Sequence, residues 1–257
     1  MMQKIPLSVV VLTKNEEDNI VSCLKSVHGW ADEIILVDDE SRDRTLERAA
    51  GFGPKVFQRR MDNEGIHRNW AYAQARNEWV LSLDADEQVS PELRDEIIAS
   101  ITDSNGCVAY AIPLRNFIGR YWVRHAGWYP ASKVRLFQKS RFRYEEVEVH
   151  PRAFFEGKEG SLTKDIIHKG YPDFEHFLAS VNRQTTLEAR KWLSTGQKIT
   201  VGRVVRRAVD RFMRSFFKKR GFKDGMVGFM IAYFASLYQI LSYAKYWEMK
   251  HNQELEK

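Results

Sequence analysis

Residues 79–87 read WVLSLDADE, an apolar run that is followed at once by closely spaced acids. The apolar part is typical of a β-strand buried on both faces. Asp84 and Asp86, two positions apart beyond its end, can share one divalent cation. Their hard oxygen ligands suit Mg²⁺ or Mn²⁺, and such an ion keeps positions open for phosphate oxygens. A solvated acidic turn gives the same pattern, so the neighbouring sequence has to decide between the two interpretations.

Three earlier apolar runs alternate with helical patterns. These runs are LSVVVLT at 7–13, EIILV at 33–37 and KVFQ at 55–58. Asn15 and Ser41 can each act as the N-cap of a following helix, and a third helical pattern covers 65–77. Ser90 followed by Pro91 predicts the start of a fourth helix. The alternation predicts an α/β fold with a mostly parallel, Rossmann-like sheet and flanking helices.

Polar side chains stand at the carboxyl ends of these strands, where parallel sheets bind their ligands. Thr13 ends the first strand, Asp38 the second and Asp84 the fourth. If the first and fourth strands are neighbours, the three groups line one crevice. The chain has neither G-x-G-x-x-G nor G-x-x-x-x-G-K-[ST], which argues against dinucleotide dehydrogenases and P-loop NTPases. A phosphate-bearing ligand held through a metal ion remains.

Composition sets broader limits. The 257 residues carry a formal net charge of +6, and Cys23 and Cys107 are the two cysteines of the sequence. Two cysteines make no disulfide framework, so a reducing cytosol is expected. The apolar run after Lys4 is too short and too strand-like for a signal peptide, so none is predicted.

The last third of the chain has a different character. Between Lys198 and Lys223 there are ten Lys and Arg residues and one acid, and 201–217 has the pattern of a basic amphipathic helix. Residues 225–244 follow without any charge. That segment can lie on the membrane surface, span the bilayer, or dock as a core or oligomer helix. The basic neighbour favours the first interpretation, because anionic lipid headgroups attract Lys and Arg.

VVVLTKNEEDNI, DEIILVDDESRDRT and NEWVLSLDADE together resemble the inverting glycosyltransferases of family 2, which have the GT-A fold. The likeness is specific over about residues 5–95, and it is nearest to bacterial enzymes of lipopolysaccharide core synthesis. It implies a GT-A catalytic domain at 1–172, with a nucleotide-sugar half at 1–100 and an acceptor half at 101–172. Residues 173–257 then form a helical, membrane-associating appendage.

The resemblance also implies roles for individual residues. Asp84 and Asp86 bind the Mg²⁺ or Mn²⁺ ion and the donor diphosphate, while Arg68 approaches the donor. Apart from the resemblance, Arg135 in KVRLF at 133–137 is a candidate for holding donor phosphate, and a surface arginine on a strand is the alternative. The donor is a nucleotide sugar, expected to be a UDP-sugar. Four residues are expected to contact its nucleotide, namely Thr13, Asn15, Glu17 and Asp38. One departure is that Asp39-Glu40-Ser41 replaces the family's usual Ser-Gly-Ser.

The general base of the resembled family is an Asp or Glu from the second half of the catalytic domain. The candidates lie in YEEVEVH at 144–150, read as a strand, where Glu146, Glu148 and His150 share one face. We favour Glu148, then Glu146, with Asp173 as a further alternative. His150 is predicted as a third metal ligand, and His168 is a second candidate for that role.

The resemblance implies a hexosyltransferase, and two other functions are alternatives to it. A nucleotidyltransferase also uses metal-binding carboxylates, but it normally has a Gly-rich basic loop after its first strand, where this chain is acidic. A nucleic-acid-binding protein would explain the basic block but not the acids at three strand ends. The expected partners are therefore a nucleotide sugar and a lipid-linked or lipopolysaccharide acceptor, with no nucleic acid. The expected location is the cytoplasmic face of the membrane, with oligomers possible through the C-terminal helices.

Overall fold

The computed structural model describes residues 4–147, 151–197 and 199–255. The contacts between residues divide the chain into two units. The first is Met1–Arg115 with Ala131–Lys169, and the second is Asn116–Pro130 with Gly170–Lys257. The sequence predicts a boundary at 172, and residues 116–130, assigned above to the acceptor half, group with the C-terminal helices in this division.

Thirteen strands occur among the described residues. They are β1 Ile5–Thr13, β2 Ala31–Asp38, β3 Lys55–Gln58, β4 Trp79–Asp84, β5 Glu87–Val89, β6 Cys107–Ile112, β7 Leu114–Ile118, β8 Tyr121–Trp122, β9 Lys133–Gln138, β10 Phe142–Tyr144, β11 Ala153–Phe155, β12 Lys158–Ser161 and β13 Ile166–Tyr171. The helices are α1 Ile20–Val27, α2 Thr45–Ala49, α3 Glu64–Ala73, α4 Pro91–Thr102, α5 Phe174–Ser194, α6 Val201–Met213 and α7 Gly225–Leu255.

The first unit is built on a seven-stranded sheet in the order β12-β6-β9-β4-β1-β2-β3. β1 pairs in parallel with β2 and β4, so the predicted neighbours are confirmed. Its register sets Thr13 opposite Asp38 and Leu12 opposite Asp84, which brings the predicted strand-end groups to one edge. β9 runs antiparallel between β4 and β6 and thereby delivers its first residues to that same edge. The sheet is thus mostly parallel, as the sequence predicts.

The apolar runs form the core because both faces of the sheet are covered. The β1 side chains Val9, Val10 and Val11 are completely buried, and they point alternately into two apolar clusters. Helices α1 and α4 contribute to one cluster and α3 to the other. A continuous β-branched run is what a strand with two buried faces requires.

Two of the three predicted N-caps are wrong. Ser90 does cap α4, its Oγ accepting the Leu93 N–H at 3.2 Å. Asn15 instead lies in the left-handed region (φ 53°), and its Oδ1 accepts the Arg42 N–H at 2.8 Å. Ser41 Oγ accepts the Asn15 N–H at 2.8 Å. Both residues therefore join the loops after β1 and β2, and the helices begin later, at Ile20 and Thr45.

The predicted strand over 144–150 is also wrong in its described part. β10 ends at Tyr144, and residues 145–147 lie outside any strand. The reason is the short partner, since β11 offers only three residues, Ala153–Phe155, for pairing. Glu146 is therefore not on a strand, so the face that it was predicted to share with Glu148 and His150 is not supported there. Glu148 and His150 lie outside the described residues.

The second unit consists of α5, α6 and α7 with the segment 116–130. α7 packs against both α5 and α6. Two apolar clusters hold this unit together, one around Phe177 and Ile231 and one around Trp192 and Tyr246. One helical stretch in the described part of the chain, Gly221–Gln253, is long and apolar enough to cross a bilayer by length and composition alone. Of its most apolar window, 28% is buried within the protein.

Candidate active site

Asp84, the first acid of the motif, is held between two arginines. Arg68 from α3 donates through Nη2 to Asp84 Oδ1 at 3.1 Å, and Arg135 from β9 donates through Nη2 to Asp84 Oδ2 at 2.7 Å. The Arg135 side chain is 2% exposed and the Asp84 side chain 31%. Burial alone would raise the pKa of Asp84, but the charges of Arg135 and Arg68 hold it well below its usual range. The three residues were predicted separately as donor-site residues, and the structure brings them together.

Glu87 completes this charged cluster, and sequence reasoning gave it no role. Its Oε1 accepts from Arg135 Nη2, and its Oε2 accepts the Asp84 N–H at 3.0 Å. The residue is completely buried. Burial raises the pKa of the Glu87 carboxyl, while the positive charge of Arg135 opposes that change. Glu87 therefore fixes the backbone at Asp84 and balances the charge of Arg135.

Asp86, the second acid, has a different environment. Its Oδ2 lies 3.1 Å from His168 Nε2, and β13 brings this histidine to β5 by pairing His168 with Glu87. Burial disfavours the charged imidazole, but the hydrogen bond and charge of Asp86 outweigh it and raise the pKa of His168. The neighbouring Glu16 has a raised pKa as well, first through burial and then through the charges of Asp86 and Asp84, against a hydrogen bond from Asn19. Neither His168 nor Glu16 was among the favoured site residues.

The carboxylates at this site suit a metal ion that is held mainly by oxygen atoms of the substrate. Within 4–147, 151–197 and 199–255, no group of three or more His, Cys, Asp and Glu side chains is arranged to hold a metal. Both Asp84 oxygens already accept from arginine, so Asp86 is the better placed carboxylate. Mg²⁺ commonly binds through one or two carboxylates, with phosphate oxygens and water completing its shell. The residues present fit that mode and not an all-protein cage.

Thr13 and Asp38 form a second part of the site, at the ends of β1 and β2. Both are buried, and they face each other across the parallel pair. Asp38 Oδ2 accepts the Ser41 N–H at 3.0 Å, whereas Asp38 Oδ1 and Thr13 Oγ1 have no hydrogen-bond partner in the described part of the chain. Buried polar atoms almost always have partners in native proteins. Two such atoms side by side indicate a place for ligand groups.

Asn15 and Glu17, also predicted to contact the nucleotide, have other contacts. Asn15 Oδ1 accepts the Arg42 N–H, and Glu17 Oε2 accepts the Arg44 N–H at 3.1 Å and its Nε at 3.3 Å. Their side chains therefore shape the loops beside Thr13 and Asp38. Their contact with a nucleotide stays a prediction.

The departure at Asp39-Glu40-Ser41 has a structural explanation. Asp39 accepts from Lys14 Nζ at 2.7 Å and from the Met61 N–H at 2.8 Å, so the extra acid ties three loops together. Glu40 adopts φ 54°, the left-handed conformation that favours glycine. Position 40, where the resembled family usually has glycine, thus has a glycine-like backbone while it carries a glutamate.

A cleft of about 290 Å³ opens beside the arginines. Its lining residues are Glu64, Arg68, Lys133, Val134, Arg135, Tyr144, Pro151 and Ala153. Arg68 Nη1 and Arg135 Nε are buried and have no hydrogen-bond partner among the described residues. Asp84 and Glu87 offset charge of the two arginines, but the two unpartnered donor atoms and Lys133 still suit the cleft to an anionic group. Sequence reasoning missed Lys133, although it lies two positions before Arg135.

The residues predicted as general base lie in and after 145–147. Glu145 pairs with Arg152, with Glu145 Oε1 and Arg152 Nη2 2.8 Å apart. The hydrogen bond from Arg152 lowers the pKa of Glu145. Glu146 is exposed to solvent. Glu148 and His150 were named from sequence, and their positions lie outside the described residues.

Comparisons with known proteins were made by sequence family, by whole sequence and by fold. A family model described as "Glycosyl transferase family 2" matches residues 8–158. An uncharacterized glycosyltransferase of Rickettsia typhi is 29% identical over 255 residues, which cover 95% of this chain and 87% of the relative. The lipopolysaccharide core biosynthesis glycosyltransferase LpsC of Rhizobium meliloti is 24% identical, covering 96% of this chain and 94% of LpsC.

Solved structures give the same fold. The crystal structure of TarS 1–349 from S. aureus in complex with UDP aligns with a TM-score of 0.51 at 19% identity. The alignment covers 86% of this chain and 75% of that one. At this identity the likeness concerns the fold alone. It agrees with the GT-A architecture predicted from the sequence.

Proposed function

The chain belongs to glycosyl transferase family 2, and from that membership we propose that it transfers a sugar from a UDP-sugar to a lipid-linked or lipopolysaccharide-core acceptor. The main support is the row of unsatisfied buried atoms along one sheet edge. Thr13 Oγ1 and Asp38 Oδ1 can accept from a nucleotide, while Arg68 Nη1 and Arg135 Nε can donate to its phosphates. Because the chain belongs to this family, we reject the alternative that it is a nucleotidyltransferase.

The charged groups have complementary tasks in this proposal. A Mg²⁺ or Mn²⁺ ion held by Asp86, with Asp84 beside it, would offset charge on the leaving diphosphate. Arg68 and Arg135 stabilise the same developing charge with guanidinium groups that are already in place. Preorganised charges of this kind need little rearrangement as the reaction proceeds. Asp84 and Glu87 keep the two arginines oriented.

Inversion at the anomeric carbon requires one displacement, in which the acceptor hydroxyl attacks from the face opposite the diphosphate. A carboxylate must accept the proton of that hydroxyl. We assign this role to Glu148 first and to Glu146 second, with Asp173 as a further alternative. Asp173 caps α5, its Oδ1 accepting the His176 N–H at 2.8 Å, so that carboxylate already has a structural task. His150 remains a proposed metal ligand.

The acceptor class is supported by the similarity to LpsC and by the surface of α6. Four apolar side chains of α6, namely Val201, Val205, Val209 and Met213, are 49–60% exposed. Arg203, Arg206, Arg207 and Arg211 on the same helix are exposed as well. An apolar strip beside arginines suits the interface of an anionic bilayer. We therefore place the enzyme on the cytoplasmic face of the membrane, as a peripheral protein.

α7 supports a peripheral location better than a spanning one. Gln239 and Ser242 lie in its apolar stretch and are buried within the protein. The Ser242 Oγ donates to the Tyr238 carbonyl of the same helix at 2.7 Å. One face of α7 is therefore occupied by α5 and α6, and the exposed strip of α6 is left to meet lipid.

The donor assignment is tested with UDP. Asp38→Ala should weaken UDP binding by about ten- to a hundredfold, since a hydrogen bond to a charged group contributes about 1.5–3 kcal/mol. Calorimetry measures this change, and Asp18→Ala, at a side chain that is 90% exposed, is the matched control. Unchanged affinity in Asp38→Ala would remove Asp38 from the site. Tighter binding of GDP than of UDP by the wild type would overturn the choice of uridine.

A further inference from the structure

Helix α3 contacts two different parts of the first unit. Arg68 points to Asp84, as described above. Asn69, the next residue, binds the backbone at the end of β10: its Nδ2 donates to the Tyr144 carbonyl at 3.0 Å, and its Oδ1 accepts the Tyr144 N–H at 2.8 Å. One side chain thus satisfies both backbone polar groups of Tyr144, as a residue of a neighbouring strand would.

Gly65, one turn earlier, holds the residues that follow. Its N–H donates to the Val147 carbonyl at 3.2 Å. A Cβ at position 65 would lie 1.8 Å from the Glu145 carbonyl oxygen and 2.8 Å from its carbon. Real side chains never approach backbone atoms that closely, so any other residue at this position would push 145–147 away from α3. Gly65 is the second residue of α3, where the N–H has no partner within the helix, and the close approach explains why this position is a glycine.

The segment needs such support because its own strand pairing is short. β10 and β11 pair through three residues each. A two-stranded ribbon of this size is at best marginally stable by itself. The chain runs from this ribbon through Glu145 and Glu146 directly to position 148, the first candidate for the general base.

We propose that Gly65 and Asn69 are positioning residues that hold the acidic segment 144–147 against the same helix that carries Arg68. The charge of Arg68 and the candidate base Glu146 are then attached to the same helix. This inference rests on the proposed function for the role of the acids, while the anchoring itself does not depend on it. Neither residue lines the cleft beside Arg68 and Arg135.

The test compares Gly65→Ala with Gly51→Ala, since a Cβ at Gly51 meets nothing within 4 Å. Peptides covering 142–155 should exchange their amide hydrogens at least about tenfold faster in Gly65→Ala than in the wild type or the control. With the UDP-sugar that the wild type uses, kcat should fall by about a hundredfold, the size of a general-base contribution. The affinity for UDP should change less than about threefold in calorimetry.

Asn69→Asp provides a milder variant if Gly65→Ala folds poorly. The aspartate keeps an acceptor for the Tyr144 N–H and loses the donor to the Tyr144 carbonyl, so both effects should be smaller but in the same direction. Unchanged exchange in 142–155 would overturn the anchoring, whether or not the protein transfers sugar. Faster exchange with normal kcat, or a parallel loss of kcat and UDP affinity, would overturn the positioning role. A wild type that does not bind UDP would instead reject the proposed function.

Discussion

The arginines of the candidate site in the first unit and those of α6 in the second have opposite environments. In the first, Arg135 is 2% exposed and Arg68 13%, and each is paired with carboxylates. In the second, the arginines of α6 lie on the surface beside exposed valines. A buried guanidinium with a fixed partner can recognise one anion at one place. Exposed ones create a broad positive field that salt weakens. The contrast separates the proposed donor-binding site from the proposed anchoring surface.

The largest expected effect is at Asp86, the acid of the motif that pairs with His168 and not with an arginine. Asp86→Asn should reduce transfer by roughly a thousandfold or more, because metal assistance is worth several kcal/mol. Mn²⁺ binding in the presence of UDP, followed by electron paramagnetic resonance, should weaken in parallel. Asp95→Asn, at a side chain that is 67% exposed, should change neither. Full activity of the wild type in excess EDTA would refute the metal assignment.

The contrast between the arginines themselves is tested by one substitution in each unit. Arg135→Met should lower the free energy of unfolding by about 3 kcal/mol, because it leaves Glu87 buried without its positive partner. Arg207→Met on α6 should stay within about 0.5 kcal/mol of the wild type. Urea denaturation measures both. Equal stability of the two variants would mean that the buried ion pair contributes no more than a surface charge.

The exposed strip of α6 should decide membrane binding. Val205→Glu with Val209→Glu should reduce partitioning into anionic phosphatidylglycerol-containing vesicles by about thirtyfold, since inserting the two valines contributes about 2 kcal/mol. Val56→Glu, at a valine that is 44% exposed in β3, is the matched control and should float like the wild type. Flotation gives the bound fraction. If the wild type stays in the soluble fraction, the peripheral membrane location is wrong.

The sequence could predict the sheet and the strand-end groups because both follow from local patterns. A β-branched run buried on both faces makes a central strand, and parallel pairing then brings Thr13, Asp38 and Asp84 to one edge. The Arg135–Glu87 pair could not be predicted in this way. It depends on β9 inserting antiparallel beside β4, which joins residues 48 positions apart.

Capping was mispredicted for a related reason. Asn15 and Ser41 have the chemistry of N-caps, but each finds its partner on the other loop. The role of Gly65 could not be predicted either, because only the fold brings the Glu145 carbonyl to the place where a Cβ at position 65 would lie. A local sequence pattern does not predict the long-range contacts that polar and small residues make.

The smallest expected effect comes from relieving backbone strain at one residue in each unit. Glu40 and Arg220 both lie in the left-handed region, at φ 54° and 55°. A residue with a Cβ pays about 1–2 kcal/mol there, which glycine avoids at some cost in the entropy of the unfolded chain. Glu40→Gly and Arg220→Gly should therefore each raise the free energy of unfolding by about 1 kcal/mol, or the melting temperature by about 2–4 °C.

The two variants should differ only in membrane binding. Arg220→Gly removes one positive charge, worth up to about 1 kcal/mol near an anionic surface, whereas Glu40→Gly leaves the basic surface intact. Calorimetric melting and vesicle flotation of the same preparations measure both quantities. Unchanged vesicle binding in Arg220→Gly would show that Arg220 does not contribute to the anchoring surface.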